Sequence, residues 1–239
     1  MANYVFQRNE LKYIITKEQY HLLLKEIQNH LSIDQYGQTT IQSLYYDTDT
    51  YLLIRNSIER PLYKEKIRVR SYGLNDSNKD VFLELKKKAN GVVFKRRVNL
   101  KENEIDDILK LGINKDNKQI VDEIIYFSRF YKTLKPKILL LYDRTAYIDN
   151  TTDLRITFDK RPRYRTNNLN LHTNLEGKLL LDENKILMEI KTSNGYPMWL
   201  IKLLSENKVY KTSFSKYAAA YQIELTAQQE KIKEEKLYV

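Results

Sequence analysis

The sequence predicts an antiparallel α+β domain whose sheet can close into a barrel. Three observations predict it. Several stretches alternate apolar and polar residues with a period of two, as where Val81, Leu83 and Leu85 alternate with Glu84, Lys86 and Lys88, the pattern of a strand with one buried face. These stretches follow one another with few helical patterns between them, which favours antiparallel neighbours over a regular strand–helix alternation. No segment rich in Gly, Ser or Pro divides the 239 residues, and no repeat recurs along them. We therefore expect one domain over residues 1–226 and a charged tail over residues 227–239.

The elements follow in order. Tyr4–Ile15 reads as a strand. Thr16 with Gln19 three residues on forms a capping-box pattern and starts a helix that runs to about Leu31. Strand patterns cover residues 40–47, 63–72, 80–88 and 91–99. Helical patterns cover 102–111 and 119–132. Strands resume at 137–149, 153–160, 178–182 and 185–192. Pro197 suits the first turn of a helix, and a last helix covers Ser213–Leu225.

Composition removes several function classes. There are no cysteines, so disulfides, thiolate metal sites and thiol nucleophiles are excluded. The three histidines, His21, His30 and His172, are scattered. Six glycines leave little room for phosphate loops, and neither GxxxxGK[ST] nor GxGxxG occurs. The longest clean apolar run, Ile138–Leu141, is far short of the roughly 20 residues of a membrane span. The first ten residues lack the apolar core of a signal peptide, so we expect a cytoplasmic protein. The formal charge of +10 calls for an anionic partner. No nucleic-acid motif is present, so nucleic acid is not the expected one.

The strand period shows where the charge converges. Lys64, Lys66, Arg68 and Arg70 share one face, opposed by Ile67 and Val69. Glu84 and Lys86 line up on the next strand, Lys95 and Arg97 on the one after. Arg8, Glu10 and Lys12 align near the N-terminus. Arg144 lies between Tyr142 and Ala146. Arg155, Thr157 and Asp159 share a face, as do Glu189 and Lys191. An antiparallel sheet with one wet face would also carry charges there. Yet the pattern recurs in seven strands, it is mostly cationic, and three of those strands carry a lone Glu, Glu10, Glu84 or Glu189. Like charges on neighbouring strands repel. Turned inward, these faces would make a basic tunnel suited to a polyphosphate chain and a divalent metal, since Arg forks onto phosphate oxygens and carboxylates hold hard cations.

An ordered set of segments carries a family resemblance: RNELKY, LYYDT at 44–48, KIRVR at 66–70, LELKKK at 83–88, FKRRV at 94–98, YDRTAY at 142–147, LRITFD at 154–159, MEIKT at 188–192 and SFSKY at 213–217. In this order, over residues 4–225, the chain resembles the vacuolar transporter chaperone (VTC) domain. That domain is the polyphosphate polymerase branch of the CYTH-like triphosphate tunnel metalloenzymes. The resemblance implies an eight-stranded antiparallel tunnel barrel with flanking helices. It implies transfer of the ATP γ-phosphate onto a growing inorganic polyphosphate chain with Mn²⁺ or Mg²⁺.

It also implies roles. Lys12, Lys86, Lys95 and, as their companion, Arg97 match phosphate-binding positions. Arg68 and Arg70 match the paired arginines for nucleotide phosphates. Arg144 and Arg155 match later tunnel arginines, and Ser215 and Lys216 match phosphate contacts near the last helix. Lys191 joins the phosphate-binding set through its shared face with Glu189. Of these, Arg68, Arg70, Lys86, Arg144, Arg155 and Glu189 are the expected catalytic set. Glu189 matches the principal metal carboxylate, with Glu10 and Glu84 as further candidates. Ser215 has a second reading as a helix cap. One departure is visible: the wider superfamily opens ExExK, whereas this chain reads RxExK with Arg8 in the first position. Losing a carboxylate favours the polymerase branch over the triphosphatases. Hydrolysis of triphosphate or polyphosphate, and polyphosphate binding without turnover, remain the alternatives.

Overall fold

The computed structural model describes residues 9–59, 61–74, 79–114 and 118–237. The chain begins with β1 (Asn9–Thr16) and α1 (Lys17–His30). Thr16 and Gln19 exchange backbone and side-chain hydrogen bonds, the capping box read from the sequence. Next come β2 (Ser32–Asp47), α2 (Leu52–Ile58), β3 (Tyr63–Tyr72), β4 (Asp80–Ala89) and β5 (Val92–Lys101). A two-residue turn joins β4 to β5 with both Asn90 (φ 48°) and Gly91 (φ 86°) in the left-handed region, the hairpin geometry that Asn-Gly favours. A short α3 (Glu104–Asp106) runs into one π-helical stretch, Asp107–Leu111. Then follow α4 (Gln119–Tyr131), β6 (Lys135–Ile148), β7 (Arg155–Arg165), β8 (Lys178–Leu179), β9 (Lys185–Thr192), α5 (Met198–Glu206) and α6 (Lys216–Leu237).

The strands pair antiparallel in the order β1-β9-β7-β6-β2-β3-β4-β5, with β8 added to β7. The predicted antiparallel α+β class and the eight-strand ladder are both present. The ladder does not close. β1 and β5 are its two edges, and among the described residues no pairing joins them. The far edge of β1 is met instead by Thr212, which donates its N–H to the Lys12 carbonyl at 2.7 Å.

The apolar core lies outside the curled sheet. On the outer face of β2–β6, Ile67, Val69, Leu83, Leu85 and Leu139 are fully buried against α4 residues such as Ile124 and Phe127. Around β1, β7 and β9, Ile15, Ile156, Phe158 and Met188 pack on Leu23 and Ile27 of α1 and Leu200 of α5. Each such side chain contributes about 1.5–3 kcal/mol. A third cluster brings α6 onto the inner side: Tyr217 and Ala220 pack with Tyr45, Ile138 and Leu140. The helices thus satisfy the sheet's apolar outer face and leave its polar positions turned inward.

Several elements differ in extent from the sequence reading. β2 starts at Ser32 rather than 40, because Gly37 (φ 55°) lets the strand continue through a register shift between Ile33 and Gln38. β7 runs to Arg165 through a second irregularity beside Arg161 (φ 45°). The strand expected at 178–182 shrinks to β8. The last helix continues to Leu237. α2 is not apparent in the sequence pattern. Residues Tyr4–Arg8 of the expected first strand, including Arg8 of RxExK, lie outside the described residues.

Candidate functional site

The inward faces enclose a cavity of about 260 Å³. Nine cationic side chains line it against three carboxylates. The alternation places them there. In β3 Lys66, Arg68 and Arg70 point in while Ile67 and Val69 point to the outer core. β4 supplies Glu84 and Lys86, β5 Lys95, β6 Tyr142 and Arg144, β9 Glu189 and Lys191, and β1 Glu10 and Lys12. Ser215 and Lys216 enter from the start of α6.

Glu84 sits at the centre of one group. It is 2 % exposed and accepts from Arg68 Nε at 2.8 Å and from Arg97 Nε at 2.8 Å. Lys95 Nζ lies at 3.0 Å and Arg70 at 3.9 Å. Burial alone would raise its pKa, but Arg68, Arg70 and Lys95 outweigh burial and hold the carboxyl well below its usual range. Arg68 also donates to the Tyr45 hydroxyl at 2.8 Å. Burial would raise the Tyr45 phenol, yet Arg68, Lys66 and Arg70 bring it down to about 7.

Glu10 and Glu189 form the second group. Lys12 lies 3.3 Å from Glu10 and 3.6 Å from Glu189, and Lys191 lies 3.5 and 3.2 Å from the same two. Despite burial, which raises it, the Glu189 carboxyl is held well below its usual range by Lys216, Lys191 and Lys12. Lys86 has no such carboxylate in contact among these pairs. Burial, with Lys66 adding repulsion, pushes its amine down to about 8.

The third group anchors α6. Asp159, fully buried, is gripped by Arg144 through Nε at 2.6 Å and NH2 at 2.8 Å, and also by the Lys216 ammonium. Ser215 caps the helix, its Oγ accepting from Ala218 N at 3.3 Å, while it also faces the cavity. Tyr217 stacks on Tyr45 at 4.2 Å between ring centres and donates to Asp47 at 2.9 Å.

Most of the expected residues therefore converge: Lys12, Arg68, Arg70, Lys86, Lys95, Arg144, Glu189, Lys191, Ser215 and Lys216, with Glu10 and Glu84. Two do not line the cavity. Arg155 shares the inward period but lies at the strand end, where its guanidinium pairs with Asp34 at 2.8 Å. Arg97 lies on the same inward face, beyond the cavity's end, and meets Glu84 there at 2.8 Å. Lys66, Tyr45 and Tyr142 line the cavity without having been singled out; Lys66 was already visible on the Arg68–Arg70 face. Asp159 was visible on the face of Thr157, but nothing local signals that it meets Arg144 and Lys216.

The carboxylates differ in their fitness for a metal. Among the described residues no group of three or more Asp, Glu or His side chains could hold a cation alone. Glu10 and Glu189, bridged by the same two lysines, are a carboxylate pair that fits a hard cation needing further oxygen ligands. Glu84, expected as a third candidate, has both oxygens occupied by arginines and a lysine and does not fit.

No curated protein matches the chain. Among solved structures, a candidate adenylate cyclase of Bacillus halodurans aligns with a TM-score of 0.54 and 13 % identity, over 90 % of this chain and 96 % of that one. It shares the fold. A candidate adenylate cyclase of Vibrio parahaemolyticus (10 % identity, 92 % and 99 % of the two chains) and the PH1819 protein of Pyrococcus horikoshii (14 %, 91 % and 99 %) both reach 0.49 and add no weight. The model of the VTC domain matches residues 7–225. On that match, which takes in every strand of the ladder, the chain belongs to the VTC domain family.

Proposed function

We propose that this chain is a polyphosphate polymerase that transfers the ATP γ-phosphate onto inorganic polyphosphate. The observation that carries the reading is the surplus of cations: nine face three already paired carboxylates inside a largely buried cavity. Such a concentration is offset by a bound polyanion.

In this reading Arg68, Arg70, Lys86 and Arg144 hold the triphosphate, with Lys12, Lys95, Lys191, Lys216 and Ser215 along the chain path. The reaction needs position and charge neutralisation more than covalent chemistry. A terminal oxygen of the polyphosphate attacks the γ-phosphorus, the bond to the β–γ bridging oxygen breaks, and ADP leaves. The attacking oxygen is already ionised, so no base is needed. Glu189 and Glu10 would hold Mn²⁺ or Mg²⁺, which draws negative charge from the phosphate oxygens. Arg155, tied to Asp34, acts at the edge of the site and not on the reacting phosphates.

Hydrolysis is disfavoured by the carboxylates themselves. All three are ion-paired and held below their usual range, so none is poised to take a proton from water. We assign catalysis to residues 1–226, with residues 227–239 outside it. ATP supply places the reaction in the cytoplasm, and among the described residues no helix is long and apolar enough to cross a membrane.

The test is incubation of the pure protein with ATP and Mn²⁺ or Mg²⁺. Long phosphate polymer with stoichiometric ADP is expected. Phosphate release from tripolyphosphate without polymer, or binding with no turnover, would overturn the proposal.

A further inference from the structure

The inward positions of β3, β4 and β5 change character along the strands. One register level carries Lys66, Lys86 and Lys95, and the next carries Arg68, Glu84 and Arg97. Beyond them Arg70 stands opposite Phe82, and Tyr72 ends the row. The phosphate-facing cations thus give way to aromatic rings at one end. Phe82 and Tyr72 meet edge to face, 5.7 Å between centres and 82° between planes. The Arg97 guanidinium lies over the Phe82 ring at 4.0 Å and donates to the Tyr72 hydroxyl at 3.0 Å. Tyr72 remains 43 % exposed and the Arg97 side chain 35 %.

We infer that Tyr72, Phe82 and the Arg97 plane form a stacking platform for the purine base of the nucleotide. The inference rests on the triphosphate reading of the cavity. Three features support it. The platform adjoins Arg70 and Glu84, which line the phosphate cavity, so a base here is within a nucleotide's length of its phosphates. An exposed tyrosine on the inward face of a strand, beside two arginines, does nothing for the outer core. A guanidinium whose carbon sits 4.0 Å over a ring adds a cationic surface to it, and a base stacks on aromatic and Arg groups without edge-specific bonds. The platform therefore favours purine over pyrimidine nucleotides by ring area, and it gives the protein a means of telling a nucleoside triphosphate from inorganic triphosphate that the cations alone do not supply.

The experiment compares dissociation constants for ATP and for inorganic tripolyphosphate in wild type, Phe82→Leu, Tyr72→Leu and Tyr72→Phe. Both Leu variants should weaken ATP roughly tenfold, in line with the loss of one stacked base, and leave tripolyphosphate within twofold. Tyr72→Phe keeps the ring and should keep ATP affinity. Equal loss of both ligands, or no loss of ATP, overturns the platform while the tunnel reading stands. A wild-type protein that binds neither ligand overturns the tunnel reading itself. Should Phe82→Leu fail to fold, Tyr72→Leu, at a half-exposed position, carries the comparison alone.

Discussion

Arg144 lies fork to fork on Asp159, with Nε 2.6 Å from one carboxylate oxygen and NH2 2.8 Å from the other. Asp159 is 0 % exposed and also takes the ammonium of Lys216, so one acid of β7 joins a cation of β6 to the first turn of α6. Burial works against its charge, but Arg144 and Lys216 win and hold its pKa below the ordinary value. Asp159→Asn should therefore cost about 3–5 kcal/mol, because it leaves two cations facing each other in a dry site. An unfolding free energy lowered by less than about 1 kcal/mol in denaturant titration would show the pair to be solvated. The sign with pH follows. A depressed carboxylate gives stability that is complete above its unfolded pKa of about 4 and lost as pH falls towards its folded value. Wild type should lose stability in that acid window faster than Asp159→Asn.

Proton uptake should accompany ligand binding. In the free protein Lys86 is pushed down to about 8 and Tyr45 to about 7, so both are partly deprotonated at pH 8. A bound phosphate chain favours the charged amine and opposes the phenolate, raising both values. Binding then takes up protons, and affinity falls as pH climbs through 7 to 9. Calorimetry of tripolyphosphate binding at pH 8 in two buffers of different ionisation enthalpy reads the uptake directly. Lys86→Arg and Tyr45→Phe should each reduce it. Equal heats in both buffers would contradict the argument.

The strand period made the inward face legible because side-chain direction is a local property: Arg68, Arg70, Lys86, Arg144 and Glu189 could be placed from their neighbours alone. Three features were not legible from the alternation. Arg155 has the right parity, yet Asp34, 121 positions away, takes its guanidinium. α2 is started by Asp47, which accepts from the backbone of Leu53 and Ile54 across a turn with Tyr51 at φ 56°, so no ordinary cap pattern precedes it. The open edge between β1 and β5 was equally hidden, since alternation tells which face is buried and not which edges meet.

Arg70 is the cleanest probe of the cavity. It is 9 % exposed, its Nε has no hydrogen-bond partner among the described residues, and its contacts include a 3.5 Å approach to Tyr142, a hydrogen bond with the Tyr72 hydroxyl and a 3.9 Å pair with Glu84. The fold gains little from it. Arg70→Ala should leave the melting temperature of the ligand-free protein within a few degrees of wild type, abolish polymer synthesis, and shrink the rise in melting temperature that tripolyphosphate produces by mass action. Full synthesis in this variant would remove Arg70 from the triphosphate site.

Asp47 tests how the outer scaffold sets the inner site. It is 0 % exposed and accepts four hydrogen bonds, from the backbone of Thr48, Leu53 and Ile54 and from the Tyr217 hydroxyl. It thus ties the start of α2 and the start of α6 to the end of β2. The Tyr217 ring lies on Tyr45, and Tyr45 accepts from Arg68. Asp47→Ala leaves several buried donors unpaired, each worth about 1–3 kcal/mol, and frees the ring stack behind Arg68. Both stability and polymer synthesis should fall. Tyr217→Phe removes a single hydroxyl and keeps the stack, so it should cost only about 1–2 kcal/mol and leave synthesis near wild type. Denaturant unfolding and polymer yield, measured on both variants, separate the two effects. If Tyr217→Phe abolished synthesis, the hydroxyl, and not the stacked ring, would be what positions Arg68.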